Sequence, residues 1–496
     1  MSSEKKPSST ALPTTENTIV DGVLRYPSTG IKALVVGAGV AGLMTALECW
    51  RKGIDVEVVE KVDQILIVGD IFAIGPSALT TLRYYPSLLK DYDEIAHDAI
   101  IHYAARDGNL TMPPMEFEWN REGVAPSSAY PLRAKALFSR PDFTLMLYRQ
   151  CQRLGIPFTF GVAVDRYEED TEKGNATAIA QDGRRFTADF VVAADGLGTK
   201  SHTITLGKPV KAFKTGFVAY RGMYSTERLK GVKVAEDVLK NLERPIFLFV
   251  TANMAHCVFT ITKNQVSIGI AIEEDDETTT ESWSATISNE RALAALPEPD
   301  TWSPLIREII GNAPDNSIVR WSLCFRDPQP RWASPGGHVI QLGDSCHSFL
   351  PTSGNGATQA MEDAASLPEC LRLAGKSRVA IATKVHELLR YQRVSLIQHT
   401  GFVNMQDVHH EPDKNGTGIP PLLMGKWLWG HNPEIYATEN FAKALDHLEK
   451  GTPFENTNLP PGHKWSDWTV EEELAKQRAG IITLNELKFN GDWTMV

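Results

Sequence analysis

The sequence predicts an open α/β architecture, in which a doubly wound sheet is interrupted by a β-sheet domain and followed by a C-terminal helical extension. Three observations predict it. Residues 32–60 read as strand, tight turn, helix and strand. The stretch 206–325 changes to alternating, strand-like segments. HVIQLGD then returns to the short, fully apolar strand style of the opening. One domain is therefore split in sequence by another.

Each element has its own signal. IKALVVGAG is a β-branched run ending in glycines, VAGLMTALECWRKG has helical spacing and stops at Gly53, and IDVEVVEK forms the next strand. The helix PDFTLMLYRQCQRLG leads into strand-like segments that end in FVVAAD. GFVAYRGMY, RPIFLFVT, HCVFTITK and QVSIGIAIEE look like strands of a sheet with one covered face. After HVIQLGD come a Gly-rich loop and the helix QAMEDAASLPECLRLAG, then helical segments separated by Pro and Gly. The expected divisions are a disordered or extended tail over 1–31, a nucleotide-binding domain in two parts over 32–205 and 326–400, a substrate sheet over 206–325, and the helical extension over 401–496.

Composition narrows the function. Hydrophobic residues make up 42% and charged residues 22% of 496, which suits a globular protein with a large core. Acidic residues outnumber basic ones by 61 to 50, giving a net charge of −11. With no Lys/Arg block, nucleic acid is excluded as a partner. The six cysteines form no C-x-x-C pair, and a reducing, cytoplasmic setting fits them best. The N-terminal stretch MSSEKKPSSTALPTTENT lacks the apolar centre of a signal peptide. Ala33 to Trp50 is the one stretch that could be mistaken for a membrane span, but it carries three spaced glycines between Lys32 and Arg51. No transmembrane segment is expected, and oligomeric state is not encoded in any motif.

Those glycines form the first motif, Gly37-x-Gly39-x-x-Gly42, between a strand and a helix. They allow a tight turn, close approach of the backbone to a pyrophosphate and close packing of helix on strand, while the helix N-terminus favours the phosphates. Glu60 follows Gly37 by 23 residues, at the end of the second strand, where an acid accepts hydrogen bonds from ribose hydroxyls. The pattern indicates a dinucleotide without separating FAD from NAD.

The choice comes from GDSCHSFLPTSGNGATQAMEDAASL, beginning at Gly343. Here the chain resembles the class A flavoprotein monooxygenases, the group of para-hydroxybenzoate and salicylate hydroxylases. The family block G-D-A-x-H…P…G-Q-G-x-x-x-A-x-E-D-A is matched at Gly343, Asp344, His347, Pro351, Gly354, Gly356, Ala360, Glu362, Asp363 and Ala364. Ser345 and Asn355 depart from it. The resemblance implies FAD, with Asp344 on the ribityl chain and the Gly356–Ala357 helix start near flavin and pyrophosphate. It also implies cofactor contacts at Arg140, which opens RPDFTLML, at the Ala73 backbone in IFAIGPSAL, and at Asp195 of the Asp-Gly motif. In that motif DGLGTKSH carries Thr199 and His202 where the family has Ser and Arg. Val164 is a candidate for the adenine end, or a plain core position.

For the chemistry, Tyr220-Arg221-Gly222 resembles a Y-R-G motif of fungal-type members. Arg221 is the candidate catalytic residue, a fixed cation for a phenolate or a developing alkoxide, with an ion pair as its alternative role. The Tyr that some relatives add later is missing from IFLFVTANMAHCVF. The resemblance implies reduction of FAD by NADPH or NADH binding transiently, reaction with O2 to a C4a-hydroperoxide, and oxygen transfer to a small aromatic or polyketide-like molecule. Three alternatives stay open: an epoxidase of an indole or alkene using the same oxidant, a flavin reductase or dehydrogenase, and a non-catalytic FAD-binding protein. No metal site is expected. A lone histidine such as His256 or His347 is read as structural, and Cys346 as a small core residue.

Overall fold

In the computed structural model the described residues are 16–65, 69–124, 133–252, 255–274, 281–282, 284–409, 424–481 and 483–494. Five parallel strands form the first sheet: Lys32–Val36, Asp55–Val59, Phe158–Thr159, Phe190–Ala193 and Val339–Gln341. Lys32–Val36 lies centrally, with Asp55–Val59 and Phe158–Thr159 on one side and Phe190–Ala193 and Val339–Gln341 on the other. Numbered in chain order, the strands run 3-2-1-4-5 across the sheet, the doubly wound order whose reversal opens a crevice beyond the strand ends.

Helices Val40–Arg51, Arg140–Arg153 and Gly356–Ala374 cover one face through a core that includes Val35, Leu43, Leu47, Phe143 and Met361. The other face is covered by an antiparallel meander of Val164–Asp170, Asn175–Ala180 and Arg185–Ala188. Val164 begins this meander and packs, half-buried, against its core.

The second sheet has seven strands, ordered Thr286–Ile287, Ile318–Arg326, Ala212–Ser225, Gln265–Glu273, Ala255–Ile261, Ile246–Ala252 and Ile100–Ala104. Its edge strand Ile100–Ala104 comes from far earlier in the chain, inside the span assigned by sequence style to the nucleotide-binding part. Periodicity cannot foresee this, because one short strand reads alike in either sheet. One face buries Tyr220, Tyr224, Phe259 and Ile268 against helices Lys233–Lys240, Asn289–Ala294 and Pro304–Gly311. The span expected as a tail also holds order, a hairpin of Thr18–Val20 and Val23–Arg25 with Val23 buried. Beyond the second sheet, Val379–His409 and Pro433–Lys450 pack against Gly356–Ala374, and Phe402 meets Phe325 at a ring separation of 4.4 Å. No helix of the described residues is long and apolar enough to cross a membrane.

Candidate active site

The crevice lies at the carboxyl ends of the parallel strands, and the three glycines shape it differently. Gly37 has φ +103°, and a Cβ there would stand 2.4 Å from the Ala194 carbonyl oxygen. A Cβ on Gly42 would lie 1.9 Å from the Gly37 oxygen. Those two glycines are required by packing. Gly39 has an ordinary backbone, φ −79°, and a Cβ on it would meet nothing within 4 Å. It faces open crevice at the start of Val40–Arg51, where no side chain caps the helix and no acid sits in the first turn. Glu60 accepts hydrogen bonds from the N–H of Ala38 at 2.6 Å and of Val62 at 3.2 Å, so it stands beside the loop.

The other strand ends bring two more acids. Asp344 sits exposed in the turn Gly343–Ser345, directly after Val339–Gln341. Gly343 has φ +63°, and a Cβ there would approach that of Ala41 to 2.9 Å, so this turn packs on the glycine-motif helix. Asp195 follows Phe190–Ala193 and accepts from the Tyr167 hydroxyl at 2.8 Å. Its Oδ1 is buried without a hydrogen-bond partner among the described residues, and burial raises its pKa. His202, standing where the family has Arg, sets Nε2 3.0 Å from the Ser345 carbonyl. Burial lowers its pKa, while the Ser345 carbonyl and Asp195 pull it the other way.

Arg140, at the start of its helix, donates its backbone N–H to the Asp70 carbonyl at 2.9 Å. Burial lowers its pKa, the nearby Arg221 lowers it further, and Asp344 and Asp70 oppose both. Four charged groups thus meet at one place. Arg221 donates to both Asp70 oxygens, Nε at 2.6 Å and Nη2 at 2.9 Å. The ion-pair geometry left open by the sequence is therefore present, but it ties the sheet to the turn before Ile71–Ala73 rather than two strands to each other. Asp70 was not singled out from the sequence, because an acid after a glycine carries no spacing signal. Ala73 pairs with Leu137 across a two-stranded ribbon. Gly75 donates its N–H to Thr358 Oγ1 at 2.9 Å, bringing this ribbon to the Gly356–Ala357 helix start.

Glu362 and Asp363 of the matched block lie in a buried network beneath the turn. Asp363 Oδ2 accepts from the Gly343 N–H at 3.3 Å and lies 2.5 Å from His347 Nε2, and its Oδ1 accepts from Arg390 Nε at 2.9 Å. Burial alone would raise its carboxyl, but His347 and Arg390 pull it down to about 2. Glu362 accepts from Ser77, Arg390 and Arg393. Cys346, His347 and Asp363 place ligand-type atoms within 4.8 Å of one another, but the carboxylate is committed to Arg390 and burial pushes the Cys346 thiol far up. This cluster holds the Asp344 turn in place. Arg390 and Arg393 were missed from the sequence because nothing in helical periodicity marks a buried arginine.

The family model described as the FAD binding domain matches residues 30–378. The chain belongs to that family. Within it the chain is 40% identical over 486 residues to the FAD-dependent monooxygenase fsr3 of Gibberella fujikuroi, covering 95% of this chain and 91% of that one. It is 38% identical over 489 residues to the FAD-dependent monooxygenase mdpD of Emericella nidulans, with 95% and 92% covered. CtdE, solved in complex with FAD and a substrate, superposes with a TM-score of 0.75 at 29% identity, covering 84% of this chain and 99% of CtdE. The substrate complex of salicylate hydroxylase shares the fold, with a TM-score of 0.65 at 21% identity over 82% of this chain and 97% of that one. The protein is thus an FAD-dependent monooxygenase, an oxidoreductase of the class A type.

The residues fit the cofactor. Gly39 leaves room for a pyrophosphate where a side chain would intrude, and two helix N-termini without acidic caps border the crevice. Asp344 and Glu60 place carboxylates just beyond strand ends, where ribityl and ribose hydroxyls of a bound FAD would find acceptors.

The second sheet also presents a floor, a half-buried face opposite its packed core. Residues opposite one another in paired strands project from the same face. Arg221 stands opposite Gly269, Gly269 opposite Val258, Val258 opposite Phe249, and Phe249 opposite Tyr103. A second row runs Ala219, Ala271, His256. This face points away from Tyr220 and its core, and Arg221, Val258, Phe249, Tyr103 and Ala271 are only half-buried. Small residues lie mid-floor, with an ion pair at one side and rings at the other.

Proposed function

We propose that the flavoprotein uses NADPH or NADH and O2 to insert one oxygen atom into a small aromatic or polyketide-like substrate lying on this floor. FAD, when bound, supplies the reducible centre and the activation of oxygen. Gly37, Gly39, Gly42, Glu60, Arg140, Asp195, Asp344, Gly356 and Ala357 would hold it, with Ala73 offering backbone. The observation that carries the reading is the row from Arg221 to Tyr103, which runs from the Arg140–Asp344 cluster into an aromatic wall. The chain's own residues orient the guest, exclude water and fix a cation at its edge. The Asp70 carboxylate holds the Arg221 guanidinium in one plane, so its cation is fixed at the edge of the floor before a substrate arrives, at little cost in ordering.

A second reading is oxygen insertion at an alkene or indole double bond. Pairing with Asp70 largely neutralises Arg221, which suits a neutral substrate as well as a phenolate.

Stopped-flow reduction by NADPH across phenols, indoles and polyketides, then mass spectrometry of products made under labelled dioxygen, tests both. One labelled atom in the product, with substrate-stimulated flavin bleaching, is expected. Bleaching with no label in any product would move the protein to the dehydrogenase class. Asp344→Ala is expected to lose its flavin on desalting, read as the ratio of flavin to protein absorbance. Full retention would refute the cofactor assignment.

A further inference from the structure

The floor ends in a wall of rings, with a carboxyl group beside it that the reading above does not use. Tyr103 stacks on Phe249 at 5.2 Å and 21°, and Phe117 stacks on Trp119 at 5.1 Å and on Phe247 at 6.0 Å. The loop carrying Phe117 is folded back by Met115, whose N–H donates to the Ile101 carbonyl at 3.0 Å. Ile71 and Ala73 of the cofactor-side ribbon pack against the same cluster. The wall therefore borders both the sheet and the expected flavin strand.

Glu118 lies in that loop, between Phe117 and Trp119. Its Oε2 is buried and closes no hydrogen bond among the described residues, and the indole nitrogen of Trp429 is in the same condition. The two face each other closely enough for the indole to favour the charged carboxylate. The titratable or charged groups felt by Glu118 are Arg121 on its own loop and Tyr103 on the edge strand. Arg121 is itself engaged, donating to the Glu116 carbonyl at 3.3 Å.

We propose that Glu118 is the proton acceptor for a phenolic hydroxyl of the substrate, a planar, ring-fused phenol stacked along Tyr103, Phe249 and Trp119. This rests on the oxygen-insertion reading and names its substrate class. The phenol O–H bond breaks heterolytically, its electron pair stays on oxygen, and the proton passes to a Glu118 carboxylate oxygen. The ring is then electron-rich when oxygen is inserted. Rearomatisation expels the hydrogen of the oxygenated ring carbon as a proton to solvent and leaves the product phenolate, to which the carboxyl returns its own proton, so Glu118 is regenerated. Burial outweighs Arg121 and Trp429 and pushes the Glu118 carboxyl up to about 7, the range in which a base both accepts and releases a proton readily.

The test titrates the holoenzyme with substituted nitrophenols, whose neutral and ionised forms differ in absorbance. The wild type is expected to bind a probe as phenolate below that probe's own pKa, and Glu118→Gln to bind it neutral. With a turned-over phenol, Glu118→Gln is expected to lose about 100-fold in kcat and the rising limb of its pH profile. Glu118→Asp is expected to keep a displaced limb. FAD content should match the wild type in both variants. Equal ionisation of the probe in wild type and Glu118→Gln, an unchanged rising limb, or no probe binding to the wild type would each overturn the proposal. The oxygen-insertion reading fails separately, on absence of labelled oxygen from every product, while the nitrophenol spectra still report on Glu118.

Discussion

At the scale of single residues, the glycine motif separates packing from binding. Gly42 has no room for a methyl group, since its Cβ would stand 1.9 Å from a carbonyl oxygen. Gly39 has both room and an allowed φ. Gly42→Ala is expected to destabilise the fold by at least about 2 kcal/mol, through overpacking against backbone. Gly39→Val is expected to keep the unfolding midpoint of the apoprotein and to lose FAD, because its side chain would occupy the pyrophosphate position. Urea unfolding beside flavin titration distinguishes the two, and a stable, FAD-saturated Gly39→Val would remove Gly39 from the site. The role of each glycine follows from what surrounds it, which the spacing alone does not reveal.

At the scale of elements, the helix Gly356–Ala374 works from both ends of the matched block. Its N-terminus borders the cofactor crevice through Thr358, and one turn further in Glu362 and Asp363 enter the ion network with Arg390 and Arg393. A buried carboxylate left without its cation carries the full desolvation penalty. Arg390→Met keeps most of the volume and removes the charge. It is expected to cost about 3–5 kcal/mol in denaturant unfolding. It should also weaken FAD binding, because the Gly343 N–H is anchored on Asp363. A variant as stable as the wild type would show the network to be dispensable. The block was recognisable in the sequence as Glu-Asp-Ala, but its partners lie on Val379–His409, whose helical pattern gives no cue to a buried arginine.

At the scale of the molecule, the buried ion pairs set the response to acid. Burial alone would raise the carboxyls of Asp363, Glu369 and Glu473, but cationic partners hold each at about 2. In the unfolded chain such groups titrate near ~4, so their stabilisation is complete above ~4 and is lost as pH falls towards 2. His386 adds a milder slope at higher pH. Burial lowers it to about 3, against ~6.5 when unfolded, so below ~6.5 the unfolded chain binds a proton that the folded chain refuses. Stability is expected to decline gently from pH ~6.5 and steeply below ~4. His386→Phe is expected to flatten the gentle part only, as read from unfolding midpoints across pH. An unaltered profile in that variant would assign the gentle part to other histidines.

The sequence by itself determined the βαβ unit, the strand ends that carry Gly37, Glu60, Asp195 and Asp344, and the membership of an FAD-binding family. These are local: each depends on a periodicity, or on glycines and acids at short, fixed spacing. Only the tertiary structure decided that Ile100–Ala104 completes the second sheet, that Asp70 clamps Arg221, and that Glu118 stands beside a wall of rings with Trp429. Those contacts join residues up to 311 positions apart, as between Glu118 and Trp429. No spacing rule spans such a gap, because the fold, and not the chain between, brings the two ends together.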